Sequence, residues 1–467
     1  MIKWNKEKRL LSQQQSKFWK YELKDVDEPN LFKDIFPYSE VGRIVFDNKI
    51  IPISPPEEIF ITDTTFRDGQ QARPPYSVEQ IVQIFKYLHK LGGTNGVIRQ
   101  TEFFLYSKKD REAVDECLKL GYKFPEITGW IRAAKEDIPL VQAAGLKETG
   151  LLTSVSDYHI FLKLNKKRSQ ALDDYLGIVK SVLDLGIVPR CHFEDITRAD
   201  IYGFCIPFAT ELMSLREESG IDIKIRLCDT MGYGVTYPGA ALPRSVDKLV
   251  RAFIEDAGVP GHLLEWHGHN DFHKAMINAS TAWLYGCSAA NSTLLGLGER
   301  TGNPPIESLI MEYIALKGHD DGIDTTVITD IAEYFEKEIG VKIPHNYPFV
   351  GSEFNVTRAG VHADGLIKCE EIYNIFDTNK ILKRPIVTMI SDKSGNAGIA
   401  FWLNQRFNLK DENAIDKRHP GISKINKWIA EQYDSGRQTS ISPEELEKKV
   451  RKYLPEIFMS ELEKIKV

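Results

Sequence analysis

The chain has 467 residues, 42% of them hydrophobic and 27% charged, with a net charge of −6. That length exceeds one ordinary core, so two units or a large barrel with appendages are expected. The balance is that of a globular protein, and the acidic sum gives no general attraction to nucleic acid or to an anionic membrane.

No run reaches the roughly eighteen apolar residues that a membrane span needs. The charged start "MIKWNKEKRLLSQQQSKFWK" argues against a secretory signal. The six cysteines are scattered with no CxxC pair, as reduced thiols are, so a cytoplasmic protein is expected.

Residues 1–55 are polar and proline-punctuated, ending in "PISPPEE", and read as an extension that wraps onto the main body. From Ile59 short β-rich runs alternate with stretches of helical period. The predicted strands are "IFITDTTF" (59–66), "GVIRQTEF" (96–103), "PEITGWI" (125–131), "ETGLLTSV" (148–155), "IVPRCHF" (187–193), "IKIRLCD" (223–229), "HLLEWHGH" (262–269) and "AANSTLLGL" (289–297). Eight strand signals, each followed by a helix signal, predict a (β/α)₈ barrel over residues 56–320. A doubly wound sheet is the rival, but it usually needs fewer strands. Beyond residue 320 the rhythm breaks. "TVITDIAEYFEKEIG" and "SPEELEKKVRKYL" predict helices in a smaller α-rich C-terminal region, 321–467.

A barrel of this type collects its chemistry at the C-terminal ends of its strands. Strand one ends in "DTTFRDGQQ", strand five in "HFEDITR", strand six in "CDTMG", strand seven in "HGHND" and strand eight in "GLGERTGN". His267 and His269 stand two apart, so in a strand they face the same side. Two such imidazoles suit a divalent cation. Oxygen donors to complete the set lie at neighbouring strand ends: Asp63, Asp68 and Asn303. Asp63 has two further readings, as a partner orienting a histidine or as a loop cap.

These residues carry a resemblance. "DTTFRDGQQ", "HGHND", "GLGERTGN" and "RAGVHADG", in that order, resemble the motifs of the metal-dependent Claisen enzymes related to 2-isopropylmalate synthase, homocitrate synthase and hydroxymethylglutaryl-CoA lyase, the DRE-TIM metallolyases. It runs from about Ile59 to residue 405 and includes "SDYHIFLKLNK" and "ISDKSGNAGIAFWLN". The resemblance implies that Asp68, His267, His269 and Asn303 bind the divalent cation, with manganese favoured over zinc, magnesium or cobalt. It implies that Arg67 sits on the developing negative oxygen, that Glu194 helps handle the acetyl proton, and that Thr230 contacts the 2-oxo acid carboxylate. His362 and Tyr373 match residues that the C-terminal subdomain brings to the site of the neighbouring subunit in a homodimer. Acetyl-CoA and a 2-oxo acid are the implied substrates.

Three places depart from the family pattern. Phe272 and His273 follow "HND" where a small residue is usual. Arg99 occupies the usual acidic position of strand two, unless Glu102 replaces it by a register shift, and Gln70–Gln71 stand where an acid and a glutamine are usual. Arg99, Arg132 and His159 supply cationic or polar candidates for a second carboxylate, so a dicarboxylic oxo acid is expected rather than a branched-chain one. Together with "WHGHNDFHK" and the N-terminal extension, this looks most like the (Re)-citrate synthase branch, acting on oxaloacetate. The alternatives are the homocitrate and 2-isopropylmalate synthase branches and, in another class, a non-catalytic metal-binding paralogue. A metallohydrolase barrel is disfavoured because its HxH usually ends strand one. A dinucleotide fold is disfavoured because "GLGERTG" has the wrong glycine spacing.

Overall fold

The computed structural model describes residues 2–5, 10–13 and 21–458. The rest of the first twenty residues and the tail from 459 lie outside the described residues, so the opening stretch read above for a signal falls largely there. The chain divides into two units, Met1–Asp324 and Thr325–Val467.

The first unit is a closed barrel of eight parallel strands in sequence order. They are β1 (Phe60–Asp63), β2 (Ile98–Phe104), β3 (Glu126–Arg132), β4 (Glu148–Ser154), β5 (Val188–Glu194), β6 (Lys224–Asp229), β7 (Leu264–Gly268) and β8 (Ala289–Ser292). Each is followed by a helix: α1 (Val78–Gly92), α2 (Lys108–Lys119), α3 (Ile138–Ala143), α4 (Arg168–Leu183), α5 (Ile206–Ser219), α6 (Val246–Glu255), α7 (Ala275–Leu284) and α8 (Ile306–Lys317). The expected barrel is therefore the observed one.

Local chemistry explains the elements. In α1, Ser77 and Gln80 cap each other reciprocally, and Ile81, Ile84, Phe85, Leu88 and Leu91 bury one helical stripe. Strands one and eight are shorter than expected. After Asp63 the chain turns into a single helical turn, Asp68–Gln71. After Ser292 a 3₁₀ turn at Leu294–Gly296, with Leu295 at φ 56°, ends the ladder. Both interruptions release side chains from the pleat onto the rim.

From Lys24 to Ser54 the N-terminal extension makes backbone contacts with the helices and loops around the barrel. Lys24 N donates to Gly203 O at 2.9 Å, Asn30 N to the Asp157 carboxylate at 2.7 Å, and Ser54 N to Leu284 O at 2.9 Å. Among the described residues no helix is long and apolar enough to cross a membrane, and all six cysteines are free.

The barrel interior departs from the usual filling of branched apolar side chains. Gln100, Glu102, Glu148, Arg190, His192, Arg226 and Glu265 are buried there. The parallel register sets His192 beside Arg226 and Arg226 beside Glu265. Gly150 makes room for this layer, since a Cβ there would meet His192 Nε2 at 2.6 Å and Glu102 Oε1 at 3.1 Å.

The second unit has its own core of Ile390, Ile399, Leu403, Ile422, Ile425, Ile429, Leu446 and Val450. It is built from α9 (Val327–Lys337), α10 (Gly360–Lys368), α11 (Gly395–Arg406), α12 (Pro420–Asp434) and α13 (Pro443–Tyr453). Two short parallel strands, Val356–Thr357 and Val387–Thr388, accompany them.

One buried acid supports the loop after β8. Glu307 on α8 accepts from Leu295 N at 3.1 Å, and burial raises its carboxyl from an ordinary 4.5 to about 7. The folded chain then holds a proton that the unfolded chain has lost, so this stability is full below pH 4.5 and declines as pH rises through about 7. Glu307→Gln is expected to match the wild type in thermal melting near pH 4.5. Above pH 8 it should exceed it by about 3 kcal/mol. An equal offset at both pH values would refute the assignment.

Candidate metal centre

The end of β7 brings the two histidines together as their spacing required. His267 Nε2 and His269 Nε2 lie 3.3 Å apart. Asp68, carried by the turn after β1, places Oδ2 3.7 Å from the first and 3.5 Å from the second. One donor atom from each of the three residues can be chosen so that all lie within 4.8 Å of one another, and all three residues are buried.

Asn303, from the loop after β8, donates its amide to Asp68 Oδ2 at 2.9 Å and to Leu297 O at 3.2 Å. Its Oδ1 is buried without a hydrogen-bond partner. Gly298 permits this approach, because a Cβ there would stand 2.0 Å from Asn303 Nδ2. A buried, unpartnered carbonyl oxygen beside two imidazoles and a carboxylate is a donor set suited to a divalent cation. The four residues fit the group that the motifs implied.

Their protonation states fit it as well. Burial and the neighbouring imidazole push His267 well below the ordinary histidine range, and burial lowers His269 too. Burial alone would raise Asp68, but Arg67 and both imidazoles hold it below its usual value. The cluster therefore offers two neutral rings and one carboxylate, the forms that ligate metals.

Arg67 adjoins this cluster. Its Nη1 lies 3.9 Å from Asp68 Oδ1 and its Nε donates to Glu102 Oε2 at 2.8 Å. The guanidinium also lies over the Trp130 ring, 5.6 Å from its centroid. Glu102, the register-shifted alternative for strand two, is the residue that faces the interior.

Arg99 is displaced from the role expected for it. It stands near the N-terminal end of β2, opposite the rim, where its guanidinium pairs with Glu58 at 2.5 Å and donates to Gly96 O at 3.1 Å. Its neighbours in the strand alternate in direction, which sends Gln100 and Glu102 inward and Arg99 out. Asp63 acts as a loop cap: it accepts from Thr65 N at 3.0 Å and from Thr101 Oγ1 at 2.5 Å.

A second cluster forms at the end of β5. Glu194 Oε2 lies 3.1 Å from His159 Nδ1 and 3.3 Å from Lys163 Nζ, and it accepts from Ser154 Oγ. Burial would raise this carboxyl, yet the His159 and Ser154 hydrogen bonds and the Lys163 charge bring it down to about 2. Arg198 pairs with Asp195 at 2.9 Å instead of with Glu194. Thr230 accepts from Asp195 N at 2.9 Å, and Arg300 donates to the Thr230 carbonyl while pairing with Asp271 at 2.9 Å. Arg132 ends β3 on the rim, its charge matched by a fork to Asp137 at 2.8 Å on both nitrogens. In the second unit His362 and Tyr373 are ring neighbours, 4.4 Å between centroids, and both are exposed.

Several polar partners escaped the sequence reading: Asn291, which accepts from His267 Nδ1 at 2.7 Å, and the interior ions Arg226 and Glu265. The signal was present as period-two spacing, since Glu265 precedes His267 by two.

Addition of Mn²⁺ to metal-stripped protein is expected to raise its melting temperature, by the equivalent of about 2.7 kcal/mol at a hundredfold excess over Kd. Asp68→Ala and His269→Ala should lose that shift. Because both imidazoles stay neutral below their ordinary range, the shift should hold on acidification from about pH 8 to about pH 6.5. A shift that survives both substitutions would place the ion elsewhere.

The chain resembles known proteins along most of its length. The HMGL-like family model matches residues 58–335. The chain is 76% identical over 466 residues to a citrate (Re)-synthase of Syntrophus aciditrophicus, spanning 100% of this chain and 74% of that one. It is 54% identical over 437 residues to a citrate (Re)-synthase of Clostridium kluyveri, spanning 94% and 96%. To a 2-phosphinomethylmalate synthase of Streptomyces hygroscopicus it is 35% identical over 437 residues, spanning 92% and 98%. With its barrel, its strand-end motifs and this match over the whole barrel, the chain belongs to the HMGL-like family.

Proposed function

We infer that this chain is a citrate (Re)-synthase, an acyltransferase that condenses acetyl-CoA with oxaloacetate and, with water, yields citrate and CoA. The observation that carries the reading is the Asp68–His267–His269–Asn303 cluster beside Arg67, in a chain 54% identical to such a synthase along nearly its whole length.

The methyl group of acetyl-CoA is a weak carbon acid, and the keto carbon of oxaloacetate must be made electrophilic. A divalent ion, with manganese favoured, supplies Lewis acidity and a template for the oxo acid when bound at the four residues. The other tasks belong to side chains. Arg67, held at Nε by Glu102, is a fixed cation where an oxygen gains negative charge, and it reorganises little as that charge develops. Glu194 remains a carboxylate at neutral pH and orients His159. Held that low, Glu194 acts by position; a base oriented in this way contributes roughly 10²–10⁴-fold. His159 and Lys163 place positive or donor character at the rim, where a second carboxylate needs a partner. Thr230 serves the first carboxylate.

In a homodimer His362 and Tyr373 would serve the site of the second copy. What supports this is their exposure as a pair, next to exposed Val361, Ile372 and Ile375.

The test is thiol release from acetyl-CoA by metal-stripped protein, with and without manganese, offered oxaloacetate, 2-oxoglutarate, 3-methyl-2-oxobutanoate or pyruvate. Metal-dependent release with oxaloacetate is expected. A preference for 2-oxoglutarate would move the name to homocitrate synthase, and no release with any acid would sink the condensing-enzyme reading. Arg67→Gln should lower kcat by about 10²–10³-fold while leaving Mn²⁺ binding in place.

A further inference from the structure

Below the candidate metal cluster one chain of hydrogen bonds in the barrel interior has only one possible sense. Arg226 is fully buried, and its guanidinium forks onto Glu265, Nε to Oε2 at 2.8 Å and Nη2 to Oε1 at 3.0 Å. Arg190 Nε adds a third cationic contact to that carboxylate at 3.3 Å. Guanidinium groups only donate, so Glu265 is an acceptor on every side.

Thr62 therefore gives its single hydroxyl proton to Glu265. Its oxygen is then free only to accept, and it accepts from Asn291 Nδ2 at 2.9 Å. That contact, with a longer one from the same Nδ2 to the Thr62 carbonyl at 3.5 Å, fixes which way the amide of Asn291 faces and turns Oδ1 toward His267 Nδ1 at 2.7 Å. An acceptor there requires the proton of His267 to reside on Nδ1. The lone pair is left on Nε2, the atom facing His269 and Asp68.

The other side of the same guanidinium serves Arg67. Arg226 Nη1 donates to Glu102 Oε2 at 3.0 Å, and Glu102 Oε2 accepts from Arg67 Nε at 2.8 Å.

We propose that Thr62 and Glu265 are positioning residues of a hydrogen-bond relay in which His267 donates to Asn291, Asn291 to Thr62 and Thr62 to Glu265, with Arg226 donating into Glu265 from the other side, and that this relay sets the metal-binding tautomer of His267. Arg226 is the common root of this relay and of the Glu102 clamp on Arg67, so one buried cation orients both the ion's ligand and the neighbouring guanidinium. The proposal rests on the metal reading of the site.

The test is calorimetric titration of metal-stripped protein with Mn²⁺ alone, without substrate, accompanied by melting of each metal-free variant. Thr62→Val removes the hydroxyl at nearly constant shape and is expected to weaken Mn²⁺ binding by about 10–100-fold; the metal-free variant, short of a buried hydrogen bond, should melt somewhat lower than the wild type but remain folded at the titration temperature. Thr62→Ser keeps the relay and should bind as the wild type does. Asn291→Asp offers His267 an acceptor whatever Thr62 does, so Thr62→Val in that background should cost no further affinity. Thr62→Ala carries the same expectation if valine is not tolerated.

Wild-type affinity in Thr62→Val, an equal loss in Thr62→Ser, or an undiminished loss in the Asn291→Asp background would each overturn the relay while leaving the metal site intact. A wild-type protein that takes up no Mn²⁺ would remove the metal reading, and the relay with it.

Discussion

The contact on which the rest depends is the guanidinium of Arg226 lodged between Glu102 and Glu265. Removing such ions from water costs several kcal/mol apiece, and only close, fully hydrogen-bonded partners offset it. A barrel whose inward positions carry two arginines, three glutamates and a histidine has therefore committed its interior to one arrangement. Apolar fillings of the same volume are often as stable as buried ion pairs, or more so. What the ions add is direction: donors and acceptors have fixed senses, and packed methyl groups do not.

Burial acts on every acid in this barrel in the same way, and the neighbours decide the outcome. Asp63 and Asp229 are surrounded by hydroxyls and backbone N–H groups, and burial carries both up to about 6. Glu265 meets the same desolvation, but Arg190 and Arg226 bring it down to about 2. His192 is carried down to about 3 by burial and by the Arg226 charge, despite Glu102 beside it. The interior thus holds charged acids and a neutral imidazole under the same loss of solvent. At the rim the same rule yields neutral His267 and His269 with an ionised Asp68, so the layer beneath and the candidate metal cluster above obey one electrostatic logic.

Much of this was legible along the chain. Strand-and-helix alternation is a local property, set by side-chain period and turn residues, and it located all eight strands. The four candidate metal ligands were also local signals, since each is a polar group at or just beyond a strand end. The interior ions were harder to read because a buried arginine and a solvated one look alike in sequence. Arg99 shows the difficulty: its type suited an oxo-acid pocket, yet pleat direction sends it outward to Glu58, while Glu102 three residues on turns inward to Arg67.

By itself the sequence determined the period of the elements, the order of the motifs and the chemical types available at each strand end, because these depend on neighbours within a few positions. Only the tertiary structure decided which of those side chains meet. The closure of β8 onto β1 brings Asn291 to Thr62 across 229 positions of chain. The register of β6 with β7 sets Arg226 against Glu265. The loop after β8 delivers Asn303 to Asp68. Such contacts follow from barrel closure and strand register, which are properties of the whole sheet, and no local pattern of residues specifies them.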